Sequence, residues 1–282
     1  MRPKVALVLG GGGSRGLAHI GVLDVLVRES IPIDYIVGTS MGSIVGAYFA
    51  LGVPPKLIAA HLRDIQGSNL LNLNIFSARA RQKDLKKRLE AVLGEKTFED
   101  LKTPLVITAV DMITGQEMLF DSGELIPAIL ASSAVPAVFP PVEINGMQLA
   151  DGGVIDSLAT HVAYKLRSDK IIAVDVYPSL EKDDLWVDPL SAIMGFQLPF
   201  NLFSNTDWSK IPSMASSMWR SVRVMTWHLH QARLEAHPPN ILLRPDVGKY
   251  GSLDFTDVEG PLKAGQEEAE KYLDAIKAII NS

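Results

Sequence analysis

The stretch Gly38-Thr39-Ser40-Met41-Gly42 joins a predicted strand to a predicted helix. The apolar residues Tyr35-Ile36-Val37 before it indicate a buried strand, and the apolar run 43–51 after it indicates a buried helix. A Gly-x-Ser-x-Gly turn in this setting has the layout of a nucleophile elbow. Such a turn exposes the serine hydroxyl at the head of a helix, where backbone N–H groups converge. Ser40 is therefore a candidate nucleophile, which needs a base and an oxyanion hole elsewhere in the chain.

A glycine-rich loop precedes the elbow in a second strand–loop–helix unit. The apolar run Val5–Leu9 predicts a central strand, the loop spans 10–16, and apolar residues at helical spacing predict a helix over 17–27. The loop fits the dinucleotide fingerprint Gly-x-Gly-x-x-Gly, but that site also needs an acidic residue at the end of the next strand. Ser40 follows that strand instead, and Asp34 lies before it. We therefore favour an oxyanion hole, with a plain tight turn as the other alternative.

A candidate base follows a predicted hairpin further along the chain. Asn145-Gly146 is typical of a type I′ turn between strands 142–144 and 147–150. The hairpin leads into Asp151-Gly152-Gly153, where two glycines allow a close approach of the backbone to the aspartate. Asp151 is therefore a candidate general base. A structural Asx-turn that only caps the loop remains the alternative.

The succession of buried strands and helices predicts the fold class. Continuous apolar runs at 5–9, 105–110 and 171–174 are typical of parallel strands that are covered on both faces. We expect a three-layer α/β/α fold with a mainly parallel central sheet. No internal repeat or low-complexity linker divides residues 1–282, so one domain is expected.

Composition excludes several classes of protein. Hydrophobic residues make up 47% of the 282 residues and charged residues 21%, which excludes global disorder. The net charge of −5 excludes a basic nucleic-acid-binding face. Because the chain has no cysteine, it has no disulfide, thiolate nucleophile or cysteine-based zinc site.

The apolar runs also bear on location. The N-terminal run is about half as long as a signal-peptide core and lacks a cleavage site. No run reaches the ~18 apolar residues of a spanning helix. We expect a cytoplasmic protein that is either soluble or peripheral at the inner membrane surface.

Two segments raise the question of contact with a membrane surface. The first is a basic cluster between Arg79 and Arg88, which is either a solvated helix face or a contact for anionic lipids. The second is the apolar segment 189–219, within a predicted insertion at about 180–219. This segment is either a cap over the core or an acyl-chain pocket or membrane-dipping lid.

The glycine loop, the elbow and the Asp-Gly-Gly motif, in this order and spacing, resemble the bacterial branch of the patatin-like phospholipase family. The resemblance extends to the helix around His19-Ile20-Gly21-Val22-Leu23 and to the proline block 131–140. It covers most of the chain and is weakest over 179–218. One departure is the segment 156–161, where the family usually has an Asn-rich turn and a proline.

The resemblance implies a serine lipid acyl hydrolase of the phospholipase A or esterase kind, acting through a Ser–Asp dyad without metal or cofactor. In this family pattern Ser40 is the nucleophile and Asp151 the proton acceptor. The implied oxyanion hole comprises Gly11, Gly12, Gly13 and Met41. The implied supporting residues are Arg15, Gly16, Gly38, Gly42, Gly152 and Gly153. The implied partner is a lipid or ester substrate, with transient membrane contact and no nucleic acid.

Three alternatives stay open beside this interpretation. Ser40, Asp151 and His161 follow the chain order of an α/β-hydrolase triad, so His161 is a competing base. The glycine loop leaves a dinucleotide-binding module open. A non-catalytic lipid-binding scaffold would keep the fold but has no need of both Ser40 and Asp151. The sequence does not predict an oligomeric state.

Overall fold

The computed structural model describes residues 2–63, 78–136, 138–180, 214–252 and 254–282. The strands are β1 (Val5–Leu9), β2 (Tyr35–Thr39), β3 (Leu105–Asp111), β4 (Glu117–Phe120), β5 (Val142–Ile144), β6 (Met147–Asp151), β7 (Lys170–Val174) and β8 (Ile241–Leu243). The helices are α1 (Ala18–Arg28), α2 (Met41–Leu51), α3 (Pro55–Arg63), α4 (Ala78–Leu93), α5 (Leu125–Ser132), α6 (Thr160–Lys165), α7 (Met214–Ala236), α8 (Glu259–Lys271) and α9 (Leu273–Ile280).

The strands form one mixed sheet with a parallel centre. Its order is β5-β6-β3-β2-β1-β7-β8, and β4 also pairs with β3. Strand β1 lies between β2 and β7 and is parallel to both. The antiparallel pairs all lie at the β3 end, where β3 pairs with β4 and β6, and β6 pairs with β5. The predicted mainly parallel α/β sheet is confirmed.

Strand β1 is buried because its two faces contribute to different apolar clusters. Val5, Leu7 and Leu9 pack in one cluster with residues of α1, α2 and α3. Ala6 and Val8 point to the opposite face and pack with residues of α6 and α7. Since successive side chains of a strand alternate between faces, this burial gives the three predicted layers. Burial of both faces of β1 therefore explains why Val5–Leu9 is a continuous apolar run.

Strands β2 and β6 occupy consecutive stretches of one edge of β3. Strand β2 pairs with residues 105–108 and β6 with residues 109–111. Strand β4 pairs with 107–110, a span that overlaps both, so β4 lies on the opposite edge. Because β2 is parallel to β3 and β6 is antiparallel to it, the two strands run toward each other. Their last residues, Thr39 and Asp151, are paired with adjacent residues of β3, Thr108 and Ala109.

The structure describes only part of the predicted apolar insertion, whereas it describes the whole basic cluster between Arg79 and Arg88. Residues 181–213 of the predicted cap lie outside the described residues, and the last part of the segment begins α7. In the basic cluster, Arg81 is buried and donates a 2.6 Å hydrogen bond to the Val138 carbonyl. The prediction of a lipid-facing or solvated side chain is therefore wrong for Arg81. No helix in the described ranges combines the length and hydropathy needed to cross a bilayer.

Candidate active site

The elbow holds Ser40 in a backbone conformation that side chains rarely adopt. Its φ is 53° and its ψ is −123°, between the end of β2 and the start of α2. A Cβ at Gly42 would collide with the carbonyl oxygen of Leu9 in the neighbouring strand, so only glycine allows this turn. Strain of this kind costs about 1–3 kcal/mol and is typical of functional sites.

Close packing also surrounds the other predicted supporting glycines. A side chain at Gly16 would meet Met41, and one at Gly38 would meet the backbone of Gly42 and Ser43. A side chain at Gly152 would meet the Thr108 hydroxyl. The glycines of the three motifs thus let the elbow, the glycine loop and β3 approach one another.

Two serines fix the backbone of the elbow. The Ser40 amide donates a 2.8 Å hydrogen bond to the Ser132 hydroxyl oxygen at the end of α5. The Ser43 hydroxyl donates a 2.7 Å bond to the Ser40 carbonyl. The sequence did not point to Ser132, because 92 residues separate it from Ser40 and no local spacing connects them.

Asp151 ends β6 with its carboxyl group buried beside Ser40. Burial raises the pKa of Asp151 to about 6, although interactions with the Ser40 hydroxyl and the Gly153 amide lower it. The Gly153 amide donates a 2.7 Å hydrogen bond to Asp151 Oδ1, which is the Asx-turn that the sequence left as an alternative. The same bond fixes one carboxylate oxygen, so the turn and a role as base are compatible.

A pair of threonines lies beneath the serine and the aspartate. The hydroxyl groups of Thr39 and Thr108 are 2.7 Å apart and buried. Their hydrogen bond joins the last residue of β2 to β3, next to the first β3 residue that pairs with β6. No sequence pattern predicts this pair, because its register depends on strand pairing across 69 residues.

The glycine loop lies against the elbow. A Cβ at Gly11 would be only 3.2 Å from the Ser40 Cβ. However, the Gly11 amide donates a 2.8 Å hydrogen bond to the Ser157 carbonyl. Gly11 therefore cannot serve as an oxyanion donor as predicted, and its role is to carry the loop past Ser40.

The remaining candidate donors are the amides of Gly12, Gly13 and Met41. In the part of the chain that the structure describes, the amides of Gly12 and Gly13 have no hydrogen-bond acceptor. The Met41 amide is the first of α2, and the first N–H groups of a helix lack acceptors within the helix. Their role as an oxyanion hole stays a prediction.

Arg15 and Ser14 anchor the loop to the C-terminal region. The Arg15 guanidinium donates a 2.7 Å hydrogen bond to the Tyr250 carbonyl and a 2.9 Å bond to the Ser252 hydroxyl. The Ser14 hydroxyl donates a 2.6 Å bond to the Gly251 carbonyl. These contacts favour a role for Arg15 in holding the loop over a role in attracting an anionic head group.

His19 supports the loop from α1. Its Nε2 lies 2.7 Å from the Gly10 carbonyl oxygen, which can only accept a hydrogen bond. Burial lowers the pKa of His19 to about 4, so the ring is neutral and carries its proton on Nε2. In the sequence, the only indication of this role was the position of His19 in the first predicted helix, close to the glycine loop.

His161 makes its contacts with Glu117 and Asp156 and has none with Ser40 among the described residues. Its Nε2 lies 2.7 Å from Glu117 Oε2 and its Nδ1 lies 3.2 Å from Asp156 Oδ2. Desolvation lowers its pKa, but the hydrogen bond with Glu117 and the nearby charge of Asp156 outweigh this effect and raise the pKa to about 9. A protonated imidazole cannot accept a proton from a serine, so the geometry does not support a His161 triad.

Glu117, Asp156 and His161 have side chains of the kinds that bind metal ions. Their ligand atoms also lie within 4.8 Å of one another. Two cations already face the cluster: Lys165 Nζ is 3.9 Å from Glu117 and Arg233 is 3.4 Å from Asp156. With the protonated imidazole between them, both carboxylates are compensated. The arrangement fits an ion-pair network better than a cation site.

Comparison with known proteins identifies the class. The family model of patatin-like phospholipase matches residues 7–164. An uncharacterised NTE family protein of Mycobacterium tuberculosis is 31% identical over 279 residues, which cover 96% of this chain and 47% of that protein. Lysophospholipase NTE1 of Pyricularia oryzae is 29% identical over 283 residues, covering 97% of this chain and 19% of that protein. The chain thus spans about half the length, or less, of these curated relatives.

A solved structure shares the fold. VipD from Legionella pneumophila superposes with a TM-score of 0.54 at 12% identity, over 97% of this chain and 67% of that chain. Fold and site together define an α/β protein with a serine elbow facing a buried aspartate. The chain belongs to the patatin-like phospholipase family, over the span that holds the glycine loop, Ser40 and Asp151.

Proposed function

We propose that this protein is a serine lipid acyl hydrolase that cleaves carboxylic esters through an acyl-Ser40 intermediate, with Asp151 as general base. The observation that carries the proposal is the buried Asp151 carboxyl beside the Ser40 hydroxyl. Its pKa of about 6 leaves it mostly ionised at neutral pH, yet close enough to that pH to exchange a proton efficiently. Family membership supports the same chemistry.

In the first half-reaction the Ser40 oxygen attacks the ester carbonyl while its proton passes to Asp151. The carbonyl oxygen becomes negative, and the amides of Gly12, Gly13 and Met41 stabilise it. When the tetrahedral intermediate collapses, the ester C–O bond breaks and Asp151 returns the proton to the leaving alcohol. The products of this step are an alcohol and an acyl-Ser40.

The second half-reaction repeats these roles with water. Asp151 accepts a proton from the water as its oxygen attacks the acyl carbonyl, and the same amides hold the oxyanion. Collapse releases the fatty acid and returns the proton to the Ser40 oxygen. One carboxylate therefore serves both steps, without histidine or metal.

A lipid ester is the proposed substrate class. The family model is one of phospholipases, and the relative from Pyricularia oryzae is a lysophospholipase by name. We also propose transient contact with a membrane surface, because such esters reside there. The exposed face of α7 contributes apolar side chains that suit this contact, including Met218 and Met225.

The dinucleotide alternative has less support. The residue that would bind the ribose should end β2, and Ser40 follows that strand instead. Asp34 lies at the opposite end, where it forms an ion pair with Arg2 at 2.6 Å and accepts the Val5 amide.

Hydrolysis of p-nitrophenyl esters and lysophospholipids by Ser40→Ala and Asp151→Asn tests the proposal. We expect both variants to lose at least 100-fold in kcat. Ser30→Ala is a matched control, because Ser30 also has a positive φ but is exposed. Asp121→Asn, at an exposed loop position, controls for the loss of a carboxylate. Equal activity in all variants would contradict the dyad, and vesicle binding without hydrolysis would favour the scaffold.

A further inference from the structure

A second set of serine, histidine and aspartate side chains lies behind the glycine loop. The Ser157 hydroxyl is 2.9 Å from His230 Nδ1, and His230 Nε2 is 3.1 Å from Asp175 Oδ2. The three residues are only 3–5% exposed. Ser157 follows the Asp-Gly-Gly motif, Asp175 follows β7, and His230 belongs to α7.

This set does not form a second hydrolytic site. All three side chains are buried, so an ester has no access to the Ser157 hydroxyl. The Ser157 carbonyl points toward the glycine loop, where it accepts the Gly11 amide at 2.8 Å. The arrangement must therefore act on the loop and not on a substrate.

Each partner of His230 adjoins a different part of the loop. Ser157 holds Gly11 through its carbonyl oxygen. Val176, which follows Asp175, packs so closely on Gly12 that a Cβ there would be 2.7 Å from Val176 Cγ2. Val174, which precedes Asp175, accepts the Gly10 amide at 3.1 Å. His230 thus bridges the two backbone segments against which Gly10, Gly11 and Gly12 rest.

The surroundings of His230 keep the bridge rigid. The Tyr177 ring stacks on the imidazole with 5.0 Å between centroids. Arg244 Nε donates to Asp175 Oδ2 at 3.2 Å and the Tyr177 amide donates to Asp175 Oδ1 at 3.0 Å. A carboxylate that already accepts two hydrogen bonds has a fixed orientation, so the third, from His230 Nε2–H, fixes the imidazole in turn.

We propose that His230 is a positioning residue for the oxyanion hole: it clamps Ser157 to Asp175 and thereby sets the direction of the Gly12 amide. The inference rests on the proposed function. It assigns to α7, which contributes no residue to the dyad, a part in the rate of the chemical step. The stabilisation of the negative oxygen in the transition state depends on this alignment, since loss of one oxyanion donor lowers kcat by about 10²–10³-fold.

The test compares His230→Ala with His228→Ala, which changes an exposed histidine on the same helix. Enzyme concentrations are normalised by titration of Ser40 with a fluorophosphonate, so that only folded sites are counted. For His230→Ala we expect kcat to fall about tenfold or more with KM within twofold, and the rate constant of Ser40 phosphonylation to fall in parallel. For His228→Ala we expect both quantities to be unchanged.

A second variant separates positioning from folding. Ser157→Ala removes the hydroxyl that His230 contacts but keeps the carbonyl that holds Gly11. We expect a smaller fall in kcat, and no further fall when Ser157→Ala is added to His230→Ala. Unchanged kcat in His230→Ala, additive effects, or a loss explained by fewer titratable sites would each overturn the inference. If Ser40→Ala retains wild-type hydrolysis, the proposed function itself fails, which is a distinct result.

Discussion

The backbone amide of Ser40 donates a 2.8 Å hydrogen bond to the hydroxyl of Ser132, a residue of the helix that follows β4. Both groups are buried. The bond gives the strained residue of the elbow a partner outside its own turn, and it ties Ser40 to α5. The adjacent Ser133 is also buried, but its hydroxyl has no hydrogen-bond partner among the described residues.

Because Ser132 and Ser133 differ in hydrogen bonding but are neighbours, their alanine variants can be compared as a matched pair. Ser132→Ala leaves the buried Ser40 amide without its acceptor, which should cost about 1–3 kcal/mol of stability and lower kcat. Ser133→Ala removes a hydroxyl that makes no hydrogen bond within the described part of the chain, so stability should stay the same or rise. Urea unfolding and ester hydrolysis measure both effects. An equal loss of stability in the two variants would contradict the role of Ser132.

The pH dependence of activity should report the ionisation of Asp151. Because burial raises its pKa to about 6, kcat/KM should rise with pH and reach half its plateau near pH 6. At one unit below that midpoint the rate should fall about tenfold. A pH series with a neutral ester measures the profile, with Asp121→Asn as a control that should leave it unchanged. A midpoint near pH 4 would mean that the carboxyl is not desolvated in solution.

The same carboxyl should lower stability at neutral pH. The pKa of Asp151 is raised from 3.8 to about 6, so the folded state binds its proton more tightly than the unfolded state does. Stability therefore falls as pH rises from about 4 to 6, by up to ~3 kcal/mol. Asp151→Asn, which is always neutral and retains an oxygen for the Gly153 amide, should be more stable than wild type at pH 8.

Thermal or urea unfolding at pH 8 and pH 4 measures this effect. The advantage of Asp151→Asn should shrink to less than about 1 kcal/mol at pH 4, where the wild-type carboxyl is protonated in the folded state and about 40% protonated in the unfolded state. A variant that is less stable than wild type at both values would contradict the prediction.

The backbone of Ser40 predicts a stabilising but inactivating substitution. At a φ of 53° and a ψ of −123°, glycine is unstrained whereas alanine keeps the strain. After allowance for the backbone entropy of glycine, Ser40→Gly should be about 1 kcal/mol more stable than Ser40→Ala. Ser43→Gly, within α2, should lose stability for two reasons: no positive φ offsets the low helix propensity of glycine, and the hydroxyl bond to the Ser40 carbonyl is lost. Urea unfolding distinguishes these cases.

His161→Ala should change stability and not chemistry. The pKa of the folded state, about 9, exceeds the ordinary value of 6.5, so the protonated ring stabilises the fold below about pH 6.5 and the effect is lost as pH rises through 9. Discounted for solvent screening, the loss at pH 6 should be about 1–2 kcal/mol, and smaller at pH 10. Ester hydrolysis should be nearly unchanged, and a fall comparable to that of Ser40→Ala would restore His161 as a catalytic residue.

The sequence predicted those parts of the site that depend on residues close together in the chain. Glycine spacing around Ser40 and the hairpin before Asp151 depend on local sterics, which a few adjacent residues determine. The supporting contacts of Ser132, Thr108 and His230 have no such signature. They join segments 55–92 residues apart, so they depend on strand order and helix placement.

Gly11 illustrates the same limit. Its place in the loop was evident from the sequence, but the partner of its amide, the Ser157 carbonyl, comes from a segment 146 residues further on. A pattern of glycines predicts amides that are accessible to a ligand, yet it cannot tell which of them the fold itself uses. Only the packing of β7 and the Asp-Gly-Gly segment against the loop decides that.

The shared edge of β3 has a consequence for how this protein family can vary. Ser40 and Asp151 are far apart along the chain, but Thr39, which precedes Ser40, and Asp151 itself are paired with consecutive residues of β3, Thr108 and Ala109. Insertions or deletions in the connections between these elements leave that pairing unchanged. The intervening loops can therefore change, and with them the residues that would contact a substrate, without a change in the distance between Ser40 and Asp151.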